Sequence, residues 1–280
     1  MNYSSNDAAN VVNPSLSEIG DTEHNAGIPT RTDKRNHSSV TLDLSFEELE
    51  RSGFLTPKSR QSLLAEELRI IKRRLLINAD GPGVRPNTDG NLIMVTSTAP
   101  GEGKTFVSTN LAMSVAMEID RTVLLVDCDT VRFGVTGLFG VEGKLGLADL
   151  LLRADLDLAD VLVKTNIDGL TILPAGKRVS NINELMASQR MARLLKDMAS
   201  RYDNRIIILD STPVLATTET SVLARFVGQI VIVTAAGKTK QRDLLTAIAR
   251  LDPSKEIGLV LNQSLDQGDT PYYDGYYSKL

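Results

Sequence analysis

Between residues 61 and 79 the apolar side chains Leu63, Leu64, Leu68, Ile71, Leu75 and Leu76 recur at helical spacing. Glu66, Glu67, Arg69, Lys72, Arg73 and Arg74 occupy the other face. The stretch GPGVRPNTDG at 81–90 interrupts this pattern as a loop. Five near-continuous apolar runs then alternate with helical patterns, at 92–96, 123–126, 170–173, 206–209 and 229–234, and 257–261 makes a sixth. Runs that are apolar at every position predict strands buried on both faces, hence a parallel sheet with helices on both sides. Upstream, Ser45 followed three residues later by Glu48 has the form of a capping box opening a short helix, which Gly53 ends. That helix reads equally as a docking element or as a piece packed on its own domain. The first 39 residues are rich in Asn, Ser, Thr and Asp and bury too little apolar surface to offset their ordering entropy. The expected organisation is a disordered tail over 1–39, a short amphipathic or linker segment over 40–58, an α/β domain over 59–270 and a flexible tail over 271–280.

Composition narrows the function classes. A net charge of −4 argues against a protein that coats nucleic acid, so no nucleic-acid partner is expected. A single cysteine, Cys128, rules out an internal disulfide and points to a reducing compartment. The start MNYSSNDAAN is polar, and no apolar run approaches the ~20 residues that span a bilayer. The expectation is a cytoplasmic chain that reaches a membrane only through a partner. His24 and His37 lie in the N-terminal tail and, with one cysteine elsewhere, make no metal site.

Candidate chemistry gathers at strand ends, where ligands bind in parallel α/β sheets. The run at 92–96 leads into STAPGEGKT at 97–105 and then a helical pattern. Gly101 and Gly103 let backbone N–H groups turn inward on phosphates, Lys104 reaches the β- and γ-phosphates, and Thr105 supplies the hydroxyl a phosphate loop gives to Mg²⁺. Thr98 stands where the G-x-x-x-x-G-K-[ST] pattern begins with glycine. These features place the domain in the α/β P-loop NTPase class. The expected nucleotide-binding set is Gly101, Glu102, Gly103, Lys104, Thr105, Phe106 and Asn262, the last at either an adenine edge or a strand-end cap. Asp127 and Asp129 follow the second apolar run, a pair that repels unless a cation lies near. Asp210 ends IIILD, a place for a carboxylate that holds a metal-bound water. Cys128, between two aspartates, reads as a packing residue. Four of the six tyrosines, Tyr272, Tyr273, Tyr276 and Tyr277, lie in the last nine residues, with Pro271, Asp274 and Gly275 among them.

APGEGKT at 99–105, LLVDCDTVR at 124–132, IIILDSTP at 206–213 and the terminal tyrosines together resemble the bacterial tyrosine kinases, P-loop autokinases of exopolysaccharide and capsule synthesis. The resemblance runs over roughly 59–280 and includes LPAGKRVSNINELMAS, with Ile182 where the family carries proline. Arg132 sits one place beyond the family's usual arginine, a spacing most similar to kinases found beside exosortase-linked loci. The resemblance implies several things. ATP and Mg²⁺ are the expected nucleotide and metal, with Lys104, Asp127, Asp129 and Asp210 catalytic and Thr105, Asp129 and Asp210 in the metal network. Tyr272, Tyr273, Tyr276 and Tyr277 would accept phosphate. AEELRIIKRRLL matches the family's oligomerisation pattern through Glu66, Arg69 and Lys72, which implies a homo-oligomeric ring. A separate membrane-bound activator, of the chain-length-determinant kind, and a tyrosine phosphatase are the other implied partners. Localisation would then be peripheral, at the inner face of the cell membrane.

On the residues alone, Asp127 is the better placed to accept the tyrosine proton, but Asp127 and Asp129 could exchange roles. Two rivals share the fold. A partitioning-type ATPase would carry a signature lysine where this chain has Ala99 and has no reason for a tyrosine tail. A nucleotide-dependent scaffold of an export machine has no need of Lys104, Thr105 and three site aspartates.

Overall fold

The computed structural model describes residues 41–80 and 89–264. The expectations for the N-terminal tail, the 81–88 loop and the tyrosine cluster fall outside the described residues. In chain order the elements are β1 (Thr41–Leu42), α1 (Phe46–Arg51), α2 (Leu63–Asp80), β2 (Leu92–Ser97), α3 (Lys104–Ala116), β3 (Thr122–Asp127), α4 (Gly134–Leu138), α5 (Leu147–Leu152), α6 (Leu158–Val161), β4 (Val163–Thr165), β5 (Leu170–Leu173), α7 (Ile182–Met186), α8 (Gln189–Ser200), β6 (Arg205–Asp210), α9 (Glu219–Leu223), β7 (Gln229–Ala235), α10 (Gln241–Ala249) and β8 (Glu256–Asn262).

All six predicted strands form, within a residue or two of their apolar runs. They join one eight-stranded sheet in the order β1-β4-β5-β3-β6-β2-β7-β8. Every pairing is parallel except β4 with β5. Alternate residues divide between two cores. Ile93, Val95, Val123, Leu125, Ile206 and Ile208 face a cluster under α2 and α3. Leu92, Met94, Leu124, Val126, Ile207 and Leu209 face the cluster under α5, α8 and α10. Because each central strand feeds both cores, it is apolar at every position, which is why the pattern was legible as a parallel sheet. The strands β1 and β4 were not: at two and three residues they are too short to show a period.

The segment expected as a short amphipathic or linker piece over 40–58, whose helix could equally dock elsewhere or pack on its own domain, packs on its own domain over its described residues. Ser45 caps α1 by accepting the Glu48 N–H, and Gly53 (φ 81°) follows the helix end. Leu55 is buried, and its N–H donates to Asn110 Oδ1 at 2.6 Å. Phe54 meets Phe106 with ring centroids 5.4 Å apart. β1 pairs with β4. Apolar residues spaced too irregularly for one helix face pack here because the helix is short and the chain beyond it turns back into the core.

Candidate nucleotide and phosphate site

The site is made where β2, β3 and β6 end side by side. In the ladder, Asp127 of β3 lies opposite Asp210 of β6, and Val95 of β2 lies opposite Asp210 from the other side. The loop 98–103 leaves β2, and α3 begins at Lys104 with Gly103 at its N-cap in the left-handed region (φ 92°). Gly101 takes the same hand (φ 87°). A turn of this shape aims successive N–H groups into one concavity at a helix N-terminus, an anion-binding geometry.

Polar staples hold the loop in shape. Glu102, expected to touch nucleotide, points inward: its carboxylate accepts the Thr98 hydroxyl, the Ala99 N–H at 2.9 Å and the Thr239 hydroxyl. Thr98, in the place of a first glycine, is buried and serves as one arm of this staple. Asn262 Nδ2 donates to the Glu102 carbonyl at 3.0 Å, and Gln263 Nε2 donates to the Gly101 carbonyl at 2.8 Å. Asn262 therefore sits against the loop backbone from the end of β8. The Phe106 ring turns away from the site to pack on Phe54, leaving its backbone as the part that lines the α3 start. Of the expected nucleotide-binding set, Gly101, Gly103, Lys104 and Thr105 face the concavity, while the side chains of Glu102 and Phe106 have structural partners.

The charged groups converge as expected. Lys104 Nζ lies 2.6 Å from Asp129 Oδ2 and 3.4 Å from the Thr105 hydroxyl. The Thr105 hydroxyl donates to Asp210 Oδ2 at 2.7 Å. Asp210 Oδ1 is buried with no hydrogen-bond partner among the described residues. Burial is the main force on this carboxyl and pushes it up to about 7, against the Lys104 charge and the Thr105 bond. An unsatisfied buried oxygen is costly unless water or a cation meets it. Asp127 is held differently. Its Oδ2 accepts the Thr136 N–H and hydroxyl, both at 2.7 Å, and its Oδ1 accepts the Asp129 N–H at 3.0 Å. Burial raises it to about 6, opposed by those bonds. Asp129 Oδ1 accepts from the N–H groups of Val131 and Arg132, so its other oxygen is the one turned to Lys104. Cys128, between them, is buried and its thiol is pushed up by burial and by the three aspartates.

Among the described residues no group of three or more His, Cys, Asp and Glu is placed to ligate a metal. A Mg²⁺ here would take oxygen ligands from Thr105, a carboxylate, water and phosphate, the mixed set that this ion favours. The orphaned Asp210 Oδ1 beside the Thr105 hydroxyl fits that set.

Sequence reasoning missed the chain that roofs this pair. At Gly134 an added Cβ would stand 2.5 Å from Thr105 Oγ1 and 3.2 Å from Asp210 Oδ2, so only glycine lets the backbone pass there. Phe133 before it adopts φ 54°, strained for an aromatic residue. Arg178 holds this turn, donating to the Val131 carbonyl at 2.9 Å with its guanidinium 4.2 Å from the Phe133 ring centre. The sequence signal was Gly134, five residues beyond Asp129; nothing in the spacing marks Arg178 as its partner. The expected oligomerisation residues do not share one exposed face. Glu66 pairs with Arg69 on the surface, whereas Lys72 is buried, bonded to the Ser114 carbonyl at 3.1 Å and paired with Glu118. Its side chain bends toward α3 because a long apolar stem can lie in the α2–α3 seam while the ammonium finds Glu118.

A family model described as an AAA domain matches residues 90–255. The structure of the VpsO kinase domain is 32% identical, has a TM-score of 0.58 and aligns over 72% of this chain and 100% of that one. The chain belongs to the AAA-domain family and, within it, to the bacterial tyrosine kinases. The kinase domain of the Escherichia coli tyrosine kinase ETK is 28% identical, with a TM-score of 0.65 over 83% of this chain and 92% of that one. Among curated relatives, the putative tyrosine-protein kinase EpsB of Ralstonia nicotianae is 31% identical over 90% of this chain. The tyrosine-protein kinase wzc of Salmonella typhimurium is 28% identical over the same share. The chain spans 34% of the length of each of these two relatives. No helix among the described residues is long and apolar enough to cross a membrane.

Proposed function

We propose that this chain is an ATP- and Mg²⁺-dependent protein-tyrosine autokinase whose acceptors are Tyr272, Tyr273, Tyr276 and Tyr277. The observation that carries the reading is the convergence of Lys104, Thr105, Asp129 and Asp210 on one glycine-shaped loop at a helix start. Phosphoryl transfer asks mainly for alignment and charge neutralisation, and this arrangement supplies both. In the transfer a tyrosine oxygen bonds to the γ-phosphorus, the bond from that phosphorus to the β,γ-bridging oxygen breaks, ADP leaves, and the tyrosine proton passes to a carboxylate. Lys104 leaves its ion pair with Asp129 to meet the incoming phosphates, which frees Asp129 at the reacting end. Asp129 is therefore the better candidate for the reacting carboxylate. Asp127, with both oxygens occupied by Thr136 and Asp129 N–H donors, shapes the turn that positions it. Thr105 and Asp210 would hold a Mg²⁺ there, an ion that would supply charge neutralisation for the phosphates.

Activation by a membrane-protein tail, transfer between subunits of a homo-oligomer, reversal by a tyrosine phosphatase and a role in exopolysaccharide synthesis or export belong to the same proposal. They rest on the resemblance alone. The test is mass spectrometry of the C-terminal peptide after incubation with ATP and Mg²⁺, with and without a candidate activator tail, beside a Lys104→Met control. Phosphate on the four tyrosines that is absent from the control is the expected result. Bare tyrosines under every condition, with ATP hydrolysed, would replace the kinase by an ATPase switch.

A further inference from the structure

Two arginines at the lip of the site have no carboxylate partner among the described residues, although the chain carries 35 acidic residues against 31 basic ones. Arg178 is exposed and meets the Val131 carbonyl and the Phe133 ring, neither of them an anion. Arg132 is exposed, and its guanidinium has no hydrogen-bond or charge partner among the described residues. Lys177 differs, because its ammonium lies 3.7 Å from the buried Asp149. Both arginines belong to one turn. The N–H groups of Val131 and Arg132 close on Asp129 Oδ1, which leaves their side chains exposed on the outer side of that carboxylate. Val131, bonded to Arg178 and next in the chain to Arg132, is 56% exposed and makes an apolar step between the two charges.

A cationic lip above an acidic floor selects a ligand by position. The floor is Asp127, Asp129 and Asp210, all buried. A tyrosine ring that reaches Asp129 passes the turn, and the residues flanking it, each about 3.8 Å along the chain, stay outside against Val131 and the arginines. An acid in that place meets an unpaired guanidinium, whereas a base there is repelled. The chain after residue 264 has the matching character. It carries Asp266, Asp269 and Asp274 against one base, Lys279. Asp274 stands one to three residues from each of Tyr272, Tyr273, Tyr276 and Tyr277, so a single contact at this position serves all four.

We propose that Arg132 and Arg178 are the residues that select the acceptor: they dock an acidic side chain beside the acceptor tyrosine, and the occupant is the tail at 266–280, held through Asp274. The protein substrates of this site are then tyrosines in acidic segments. The chemistry in this inference rests on the kinase reading, while the docking rests on the unpaired arginines and the tail's charge. Arg178 also holds the turn at Phe133, so changing it disturbs two things at once. The Arg132 side chain holds nothing else, which makes it the residue to change.

The test uses the full chain carrying Asp274→Lys, so that its own tail does not compete, and a fluorescent peptide of residues 266–280 as the probe. Fluorescence anisotropy measures binding in the presence of a non-hydrolysable ATP analogue and Mg²⁺. Adding Arg132→Glu to the chain should weaken peptide binding about tenfold, an exposed attraction being exchanged for a repulsion. A peptide with Asp274→Lys should bind the parent chain about tenfold more weakly and regain that loss on the Arg132→Glu chain. Binding of the unaltered peptide should also weaken as salt rises. With ATP, the Arg132→Glu change should raise the KM for the peptide and leave the KM for ATP and kcat unchanged. Peptide binding indifferent to both charge changes overturns the proposal. So does a loss of ATP affinity in place of peptide affinity, the result expected if Arg132 serves the nucleotide phosphates. A peptide that binds with the expected charge dependence but never gains phosphate would keep the docking and remove the kinase reading.

Discussion

At the scale of single residues, the site is a set of buried carboxylates held apart by donors. Asp210 and Asp127 both titrate above the usual aspartate range because burial outweighs their hydrogen bonds, to about 7 and about 6. Between about pH 4 and those values the folded chain binds more protons than the unfolded one, so stability falls as pH rises through that window. Ligand-free protein should therefore melt at a higher temperature at pH 5.5 than at pH 7.5 so far as these two groups decide it. The Asp210→Asn variant should gain on wild type as pH rises. Melting curves at a series of pH values check this; parallel curves for the two proteins would remove burial of Asp210 as the cause. Gly103 gives a second test. Its left-handed backbone makes Gly103→Ala cost roughly 1–2 kcal/mol, and the added Cβ would stand 2.0 Å from Asn262 Nδ2. Asn262 can swing aside only by giving up its bond to the Glu102 carbonyl. Nucleotide affinity measured by calorimetry should drop about tenfold or more, with the fold retained.

At the scale of elements, the surprise is the segment before α2. Its residues are only mildly amphipathic, yet β1 extends the sheet and Leu55 enters the core beside α3. Leu55→Ala should cost about 2–5 kcal/mol, the range for a buried leucine whose cavity cannot fully close. Denaturant unfolding measures it. A chain beginning at residue 59, the boundary the sequence suggests, should melt well below the full chain, since it loses that contact and the Phe54–Phe106 pair together. Equal melting temperatures would return the segment to the status of a linker. The turn 130–134 is the other element with a consequence. It passes over the Thr105–Asp210 pair and is held by Arg178, so it limits what can approach that pair from its side.

At the scale of the whole molecule, the proposed acceptor role of the terminal tyrosines allows transfer within one chain or to a neighbour. From the end of β8 to Tyr272 is ten residues, at most about 35 Å of extended chain. Transfer between subunits predicts that Lys104→Met, mixed with a variant whose four tail tyrosines are changed to phenylalanine, acquires tail phosphate from it. Mass spectrometry resolves the two tails, and a Lys104→Met tail that stays bare in the mixture would confine transfer to one chain.

The sequence by itself determined what depends on local order. The central strands were readable because burial on both faces removes polar residues from every position. The phosphate loop was readable because glycine, lysine and threonine must stand in fixed order where a strand becomes a helix, and Asp127, Asp129 and Asp210 because they end such strands. Tertiary structure alone decided matters that depend on residues far apart in the chain. Only folding brings Thr239 and Asn262 onto the loop at 98–103, turns Glu102 inward, sets Arg178 on the turn at Phe133, and buries Lys72 against Glu118. A side chain such as Glu102 or Lys72 reads the same in one dimension whether it meets ligand, partner or its own core. What distinguishes these outcomes is the set of donors and acceptors that the sheet order brings within about 3 Å of it.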